Sequence, residues 1–237
     1  MESNNSVFLL DIDGTLNEPQ QPISEEMHGL LQRLARHHQV YFVTGNTYTK
    51  SVDMLNGHIK EFAGVFCSTA DELRTMRGKL IWQDTVIPPI PADIEQTLYT
   101  MLLARGYSHS GNRIEWRNPR NINFSVIGRN ATMEQRAAHD PSWRQEAMDY
   151  ITHRYPEIDA AIGGSISIDI CSHGADKSRA CKYINGLNKD FIFIGDKTSP
   201  GGNDYPVKTY CELNPKNICL TTSGPKHTME MLNNYLR

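Results

Sequence analysis

The sequence lacks any apolar run near the ~20 residues that cross a bilayer. Its longest runs, Val7–Leu10 and Phe191–Ile194, are strand-sized. It also lacks a surplus of positive charge, since 24 Lys and Arg face 27 Asp and Glu for a formal net charge of −3. No global field is available to hold a polyanion, which argues against a dedicated nucleic-acid binder. Cysteine pairs are missing as well. Cys67, Cys171, Cys181, Cys211 and Cys219 are scattered, odd in number and without a CxxC spacing. Free thiols in a reducing compartment are therefore expected, not a disulfide framework or a zinc site. No GxGxxG follows the first predicted strand, which sets dinucleotide binding aside. The opening MESNNS has neither a basic nor an apolar stretch of the secretory kind, so no signal peptide is expected. What is present is 39% hydrophobic and 22% charged residues over 237 positions. That is enough for one large domain or two smaller ones.

The first part of the chain alternates strand and helix. Val7–Leu10 is a solid apolar run, as in a strand buried on both faces. A helix follows, with Ser24 as N-cap, Glu25 and Glu26 at the positive end of the dipole, and Met27, Leu30, Leu31 and Leu34 on one stripe. Strand Val40–Val43, helix Tyr48–Asn56 and strand Gly64–Cys67 continue the pattern, which implies a parallel sheet with helices on its faces. Glu72–Gln83 then reads as a hairpin turning at Arg77-Gly78, and a linker is expected at Pro88, Pro89 and Pro91.

The middle of the chain reads differently. A helix carries Ile94, Leu98, Met101 and Leu102 on one face and closes at Gly106. A second helical stretch, Thr132–Tyr155, opens with capping-box spacing at Thr132 and Gln135 and is split by Asp140-Pro141. Three segments alternate with period two. Arg113, Glu115 and Arg117 oppose Ile114 and Trp116. Asn123, Ser125 and Arg129 share a face, with Ile127 the apolar exception. Ser165, Ser167 and Asp169 oppose Ile166, Ile168 and Ile170. An antiparallel sheet with one apolar and one polar face is expected. Its arginines, serines and Asp, in place of Lys and Glu, suggest a binding face. From Gly174 the first pattern returns, with helix Lys177–Ile184, strand Phe191–Ile194, an edge strand near Val207–Cys211 and a last helix Pro225–Leu236. The expected fold class is α/β: a Rossmann-like core over residues 1–84 and 174–237, and an inserted α+β unit over 85–173.

The chemistry concentrates at predicted strand ends, where parallel sheets bind ligands. Asp11-Ile12-Asp13-Gly14-Thr15 directly follows the first strand. Two carboxylates at that spacing can hold a hard divalent cation, or can divide the roles of nucleophile and proton carrier. Thr44 and Gly45 follow the second core strand and can bind phosphate oxygens. Lys177 opens a helix and can neutralise phosphate and a nucleophilic carboxylate. Gly195-Asp196 follows another strand, with Gly201-Gly202-Asn203-Asp204 close behind, and its acids can complete a cation site. Each element alone would pass for a turn, a cap or a surface charge.

In this order the elements resemble the haloacid dehalogenase superfamily of phosphotransferases, and the inserted unit resembles that superfamily's cap domain. GDKTSPGGND (Gly195–Asp204), GGSISIDICSHGADKSRA (Gly163–Ala180), IEWRN (Ile114–Asn118), IGRNATMEQR (Ile127–Arg136) and FLLDIDGTLNEPQQPIS (Phe8–Ser24) are similar to strings of the eukaryotic-type phosphomannomutases. The similarity spans nearly the whole chain.

The resemblance implies an isomerase that interconverts mannose 6-phosphate and mannose 1-phosphate through a hexose 1,6-bisphosphate, which also serves as activator. Asp11 would be the phosphorylated nucleophile and Asp13 the general acid/base. Mg²⁺ would sit on Asp11, the Asp13 carbonyl and Asp196, with Asp204 in support. Lys177, Thr44 and Gly45 would hold the transferring phosphate. Arg117, Arg129 and Arg136 would hold the distal phosphate, with Arg113 or Arg120 as alternatives to Arg117, and Ser167 and Asp169 would bind sugar hydroxyls. A cytoplasmic homodimer joined through the cap, serving mannose metabolism and GDP-mannose biosynthesis, with no membrane or nucleic-acid partner, completes the expectation. Three departures from the family strings stand out. Gln20 or Gln21 replaces an arginine, Thr44-Gly45-Asn46-Thr47 replaces Gly-Gly-Ser-Asp, and Ser68-Thr69-Ala70-Asp71 occupies the place of a Glu-Asn-Gly. Weaker bisphosphate retention would make the chain a Mg²⁺-dependent sugar-phosphate phosphatase on the same scaffold, which is the alternative reading.

Overall fold

A computed structural model describes residues 6–19, 21–57, 61–107, 113–162 and 166–236. Gln20, Ser165 and the Gly163-Gly164 start of one family-like string lie outside the described residues. The chain divides into two compact units, residues 1–84 with 176–237, and residues 85–175.

The first unit holds a seven-stranded sheet. Its strands are β1 (Val7–Leu10), β2 (Gln39–Val43), β3 (Gly64–Cys67), β4 (Glu72–Arg74), β5 (Leu80–Gln83), β10 (Phe191–Gly195) and β11 (Ile218–Thr221), in the order β11-β10-β1-β2-β3-β4-β5. From β11 to β3 the pairings are parallel, and the β3–β4 and β4–β5 pairs are antiparallel. β1 is buried throughout because its alternate residues feed two cores. Phe8 and Leu10 join Phe42, Val65 and Ile194 on one side, while Val7 and Leu9 join Val43, Phe66 and Phe193 on the other.

Helices α1 (Glu25–Ala35), α2 (Tyr48–Met54), α6 (Ser178–Gly186), α7 (Tyr205–Leu213) and α8 (Pro225–Asn234) complete this unit. In α1 the amide of Met27 donates to Ser24 Oγ at 3.1 Å, a cap worth about 1 kcal/mol. Its expected stripe, Met27, Leu30, Leu31 and Leu34, is buried. The segment read as an edge strand, Val207–Cys211, lies within α7 instead. Val207 and Cys211 are both buried one helical turn apart, and Pro206 sits in the first turn where its missing N–H is harmless. The edge position belongs to β11, which follows α7.

The second unit holds an antiparallel sheet of β6 (Ile114–Asn118), β7 (Asn121–Ser125), β8 (Ile158–Ile162) and β9 (Ser167–Ser172), in the order β6-β7-β9-β8. Helices α3 (Ile94–Ala104), α4 (Met133–Ala138) and α5 (Trp143–Arg154) accompany it. Ile94, Leu98 and Leu102 of α3 and Trp143, Ala147 and Ile151 of α5 share a core with Ile122, Phe124, Ile168 and Ile170. Thr132 and Gln135 form the expected capping box, and the helical stretch breaks at His139 ahead of Pro141. Two details differ from the alternation pattern. β7 ends at Ser125, with a turn through Gly128 at φ +86° carrying the chain to Arg129. Trp116 is 41% exposed, and its indole N–H donates to Glu95 Oε1 at 2.7 Å. The register shift between Trp116 and Asn118 accompanies that exposure.

Candidate active site

The parallel pairing of β10, β1 and β2 brings their carboxyl ends side by side. Asp11 leaves β1 with its amide bonded to Ile194 of β10 at 3.0 Å, and Thr44 leaves β2 with its amide bonded to Phe66 of β3 at 3.0 Å. Asp196 follows β10, and Lys177 stands at the N-cap position of α6. Asp11, Asp196 and Thr44 therefore stand at the ends of neighbouring strands, and Lys177 reaches Asp11 from the start of α6.

At the centre is a buried charge triad. Lys177 Nζ donates to Asp11 Oδ1 and to Asp204 Oδ1, each at 2.6 Å. Lys177 is 1% exposed, Asp11 3% and Asp204 0%. Burial pushes the Asp11 carboxyl up to about 7, against the opposing pull of Lys177, and the negative charge of Asp204 adds to the rise. For Lys177 burial works against the charged form, but Asp11 and Asp204 outweigh it and hold the ammonium above the ordinary lysine range. The second oxygen of Asp11 accepts from the Thr15 hydroxyl at 3.0 Å. Thr15 is fully buried and turned onto the nucleophile candidate, not onto a free phosphate-binding surface.

Asp11, Asp196 and Asp204 offer carboxylate oxygens that all lie within 4.8 Å of one another. Asp196 Oδ1 is buried without a hydrogen-bond partner, and its Oδ2 is 3.5 Å from Lys197 Nζ. Gly14, at φ +80°, lets the chain pass so close that a Cβ there would meet Asp196 Oδ2 at 2.5 Å. An orphaned carboxylate oxygen beside two more carboxylates, with one buried lysine among them, suits a hard divalent cation with oxygen ligands. The residues fit Mg²⁺.

Asp13 points elsewhere. Its Oδ2 accepts from the Asn46 side-chain amide at 2.6 Å, and it is not among the three clustered carboxylates. Asn46 was legible only as a departure from the family string. Its contact with Asp13 depends on the β1–β2 adjacency, which no local pattern encodes. The Thr44 hydroxyl accepts from the Asn46 amide at 3.1 Å, and Gly45 is half-buried between them.

The second unit gathers the other candidates on the polar face of β6, β7 and β9. Arg117 Nη1 lies 3.1 Å from Asp169 Oδ1, which also accepts from Asn123 Nδ2 at 2.8 Å. Arg129 donates to Asn123 Oδ1 at 2.9 Å and pairs with Glu115. Ser167 is buried opposite Ser125. Arg136 takes a different part: its Nε donates to the Ala131 carbonyl at 2.9 Å and its Nη2 to the Arg129 carbonyl at 2.7 Å, so it braces the loop that presents Arg129. Of the alternatives to Arg117, Arg120 donates to the Ile87 carbonyl at 2.5 Å and Arg113 lies over the Tyr107 ring.

Comparison with known proteins agrees with this geometry. A family model described as eukaryotic phosphomannomutase matches residues 27–237. Phosphomannomutase 1 of Mus musculus is 29% identical over 241 residues, covering 94% of this chain and 88% of its own. The phosphomannomutase of Drosophila melanogaster is 28% identical, covering 97% and 95%. Among solved structures, a haloacid dehalogenase-like hydrolase from Bacteroides thetaiotaomicron gives a TM-score of 0.66 at 12% identity, covering 97% of this chain and 99% of that one. A trehalose-6-phosphate phosphatase related protein gives 0.61 at 16% identity, covering 98% and 97%. At such identities the solved structures speak for the fold alone. The family match extends over most of the chain, across both units, and the chain belongs to the eukaryotic phosphomannomutase family of isomerases, on a haloacid dehalogenase fold.

Proposed function

We propose that the protein interconverts mannose 6-phosphate and mannose 1-phosphate by way of a phosphorylated Asp11 and a hexose 1,6-bisphosphate. The observation that carries this reading is the Asp11–Lys177–Asp204 triad beside Asp196, in a chain of this family. Asp11 attacks phosphorus with the oxygen that accepts from Thr15 or Lys177. The bond from phosphorus to the sugar oxygen breaks, and that oxygen takes a proton from Asp13. In the preceding half, phosphorylated Asp11 gives its phosphoryl group to the free hydroxyl of a hexose monophosphate, whose proton passes to Asp13, and the bisphosphate so formed reorients before Asp11 attacks its other phosphorus.

Lys177 stays charged and offsets the nucleophile and the transferring phosphate, with Thr44 and Gly45 as further phosphate ligands. Asp11, the Asp13 carbonyl and Asp196, with Asp204 in support, would hold Mg²⁺. When bound, Mg²⁺ neutralises charge on the phosphoryl oxygens. Arg117 and Arg129, with Arg136 as brace, serve the non-reacting phosphate, and Ser167 and Asp169 serve the sugar hydroxyls. In the free protein these arginines are paired with Asp169 and Glu115, so a phosphate must displace those acids. The reading includes a cytoplasmic homodimer joined through the second unit. No helix among the described residues is long and apolar enough to cross a membrane.

Phosphorus NMR with Mg²⁺, mannose 1-phosphate and catalytic glucose 1,6-bisphosphate tests the reading. A mannose 6-phosphate resonance with little inorganic phosphate is the expected result. Inorganic phosphate as main product would replace the mutase by a sugar-phosphate phosphatase and turn attention to the glutamines at 20 and 21.

A further inference from the structure

Three consecutive residues after β3 lie in the left-handed region: Ser68 at φ 52°, Thr69 at 63° and Ala70 at 58°. None is a glycine, and each L residue there carries a steric cost. Such a turn persists only where its surroundings over-determine it. The surroundings here centre on Arg179, a buried cation outside the proposed chemistry. Its Nη2 donates to the Thr69 carbonyl at 2.7 Å, and its Nη1 to Asp71 Oδ1 at 3.1 Å and Asp84 Oδ2 at 3.4 Å. Its Nε donates to the Asp176 carbonyl at 3.4 Å. Asp84 in turn donates its amide to the Asp71 carbonyl at 2.9 Å. Arg179, Asp71 and Asp84 are all buried.

The clamped turn reaches the site through its backbone. Ser68 N–H donates to the Asn46 carbonyl and Thr69 N–H to the Thr44 carbonyl, both at 2.8 Å. The turn thus fixes both ends of Thr44-Gly45-Asn46, and the Asn46 amide meets Asp13. We infer that Asn46 is a positioning residue for Asp13, and that the Arg179-clamped turn Ser68–Ala70 holds Asn46 in place to do it. The inference rests on the proposed acid/base role of Asp13. It links two of this chain's departures from the family strings, the Asn at 46 and the Ser-Thr-Ala at 68–70, into one device.

A mutant cycle read as kcat and KM for mannose 1-phosphate, at saturating Mg²⁺ and glucose 1,6-bisphosphate, tests it. Asn46→Ala should lower kcat roughly 10- to 100-fold, the scale of losing orientation at a reacting group, with KM moved less than about twofold. In an Asp13→Ala background the same substitution should cost nothing further, and an equal loss in both backgrounds overturns the inference. Arg179→Met should show the same kcat-weighted pattern and should not add to Asn46→Ala, because residues that act through one another are non-additive. Multiplying losses would sever Arg179 from Asn46. Adding Ala70→Gly to Arg179→Met should restore part of kcat, because glycine takes the left-handed conformation without strain. Where Arg179→Met fails to fold, Arg179→Lys keeps the charge without the planar fork and gives the same comparison. If Asp13→Ala turned over at the parent rate, the acid/base reading itself would fall and the inference with it, an outcome distinct from equal losses in both backgrounds.

Discussion

Replacing Lys177 by Met keeps the length of the stem and removes the buried cation that bridges Asp11 and Asp204. Both carboxylates are at most 3% exposed, so neither can turn to bulk water for compensation. Breaking a buried pair by deleting one partner costs about 3–5 kcal/mol. At roughly 2–4 °C per kcal/mol for a chain of this size, the melting temperature should fall by about 6–20 °C. The same deletion makes the cation site more negative, so Mg²⁺ should protect the variant more than the parent. Saturation at a hundred times Kd is worth about 2.7 kcal/mol in either protein, and a lowered Kd adds to that in the variant. Adding Asp204→Asn to Lys177→Met removes one stranded charge and should recover a large part of the loss. Scanning calorimetry of the parent and both variants, with Mg²⁺ and with a chelator, measures all six cases. A melting temperature within about 2 °C of the parent, or no extra response to Mg²⁺, would show that the triad does not carry the charge balance assigned to it.

Three further outcomes follow from particular contacts. Gly14→Ala forces a Cβ to 2.5 Å from Asp196 Oδ2 at a φ of +80°, and should weaken Mg²⁺ binding about tenfold or more by titration calorimetry, as disturbed outer supports of metal ligands do; an unchanged Kd would remove Asp196 from the site. Arg129→Ala should raise KM for mannose 6-phosphate roughly 10- to 100-fold, the worth of one charged hydrogen bond, with little change in melting temperature; an unmoved KM would free that arginine of a phosphate role. His38 concerns pH, because burial holds its imidazole below the ordinary 6.5, with the Tyr235 carbonyl opposing and His37 assisting. The unfolded chain then binds this proton more readily, so stability present above pH 6.5 is lost as pH falls through the folded value. His38→Gln should flatten that limb of the melting-temperature profile, and an identical limb in the variant would assign the dependence elsewhere.

Most of the fold could be read from local pattern because local pattern is what builds it. The solid run Val7–Leu10 demanded two covered faces, and the structure supplies them from alternate residues. The alternation of Ser167 and Asp169 against Ile168 and Ile170 fixed the polar face of β9 before any partner strand was known. Val207–Cys211 misled because a short stretch with apolar residues at its ends fits a strand as well as a helix. Only Pro206 and the four-residue spacing of Val207 and Cys211 favour the helix. At the site, strand ends located Asp11, Thr44 and Asp196, and a helix start located Lys177. Pairings across the sheet were not legible: Asn46 is 33 residues from the Asp13 it contacts, and Arg179 is 108 from Asp71. Side-chain direction was equally hidden, as Arg136 shows by closing on the carbonyls of Ala131 and Arg129.

The same distinction divides the two acids of the GDKTSPGGND string. Asp204 has both oxygens engaged, Oδ1 by Lys177 and Oδ2 by the Lys197 amide at 3.1 Å. It also packs where a Cβ on Gly195 would meet its Oδ2 at 2.5 Å. Asp196 keeps Oδ1 without a partner. A cation draws most from lone pairs that no donor already occupies. On the proposed reading, Asp196 would therefore be the direct oxygen donor of the two. Asp204 fixes Lys177 and the loop start at Lys197, and on that reading would serve the cation one contact removed.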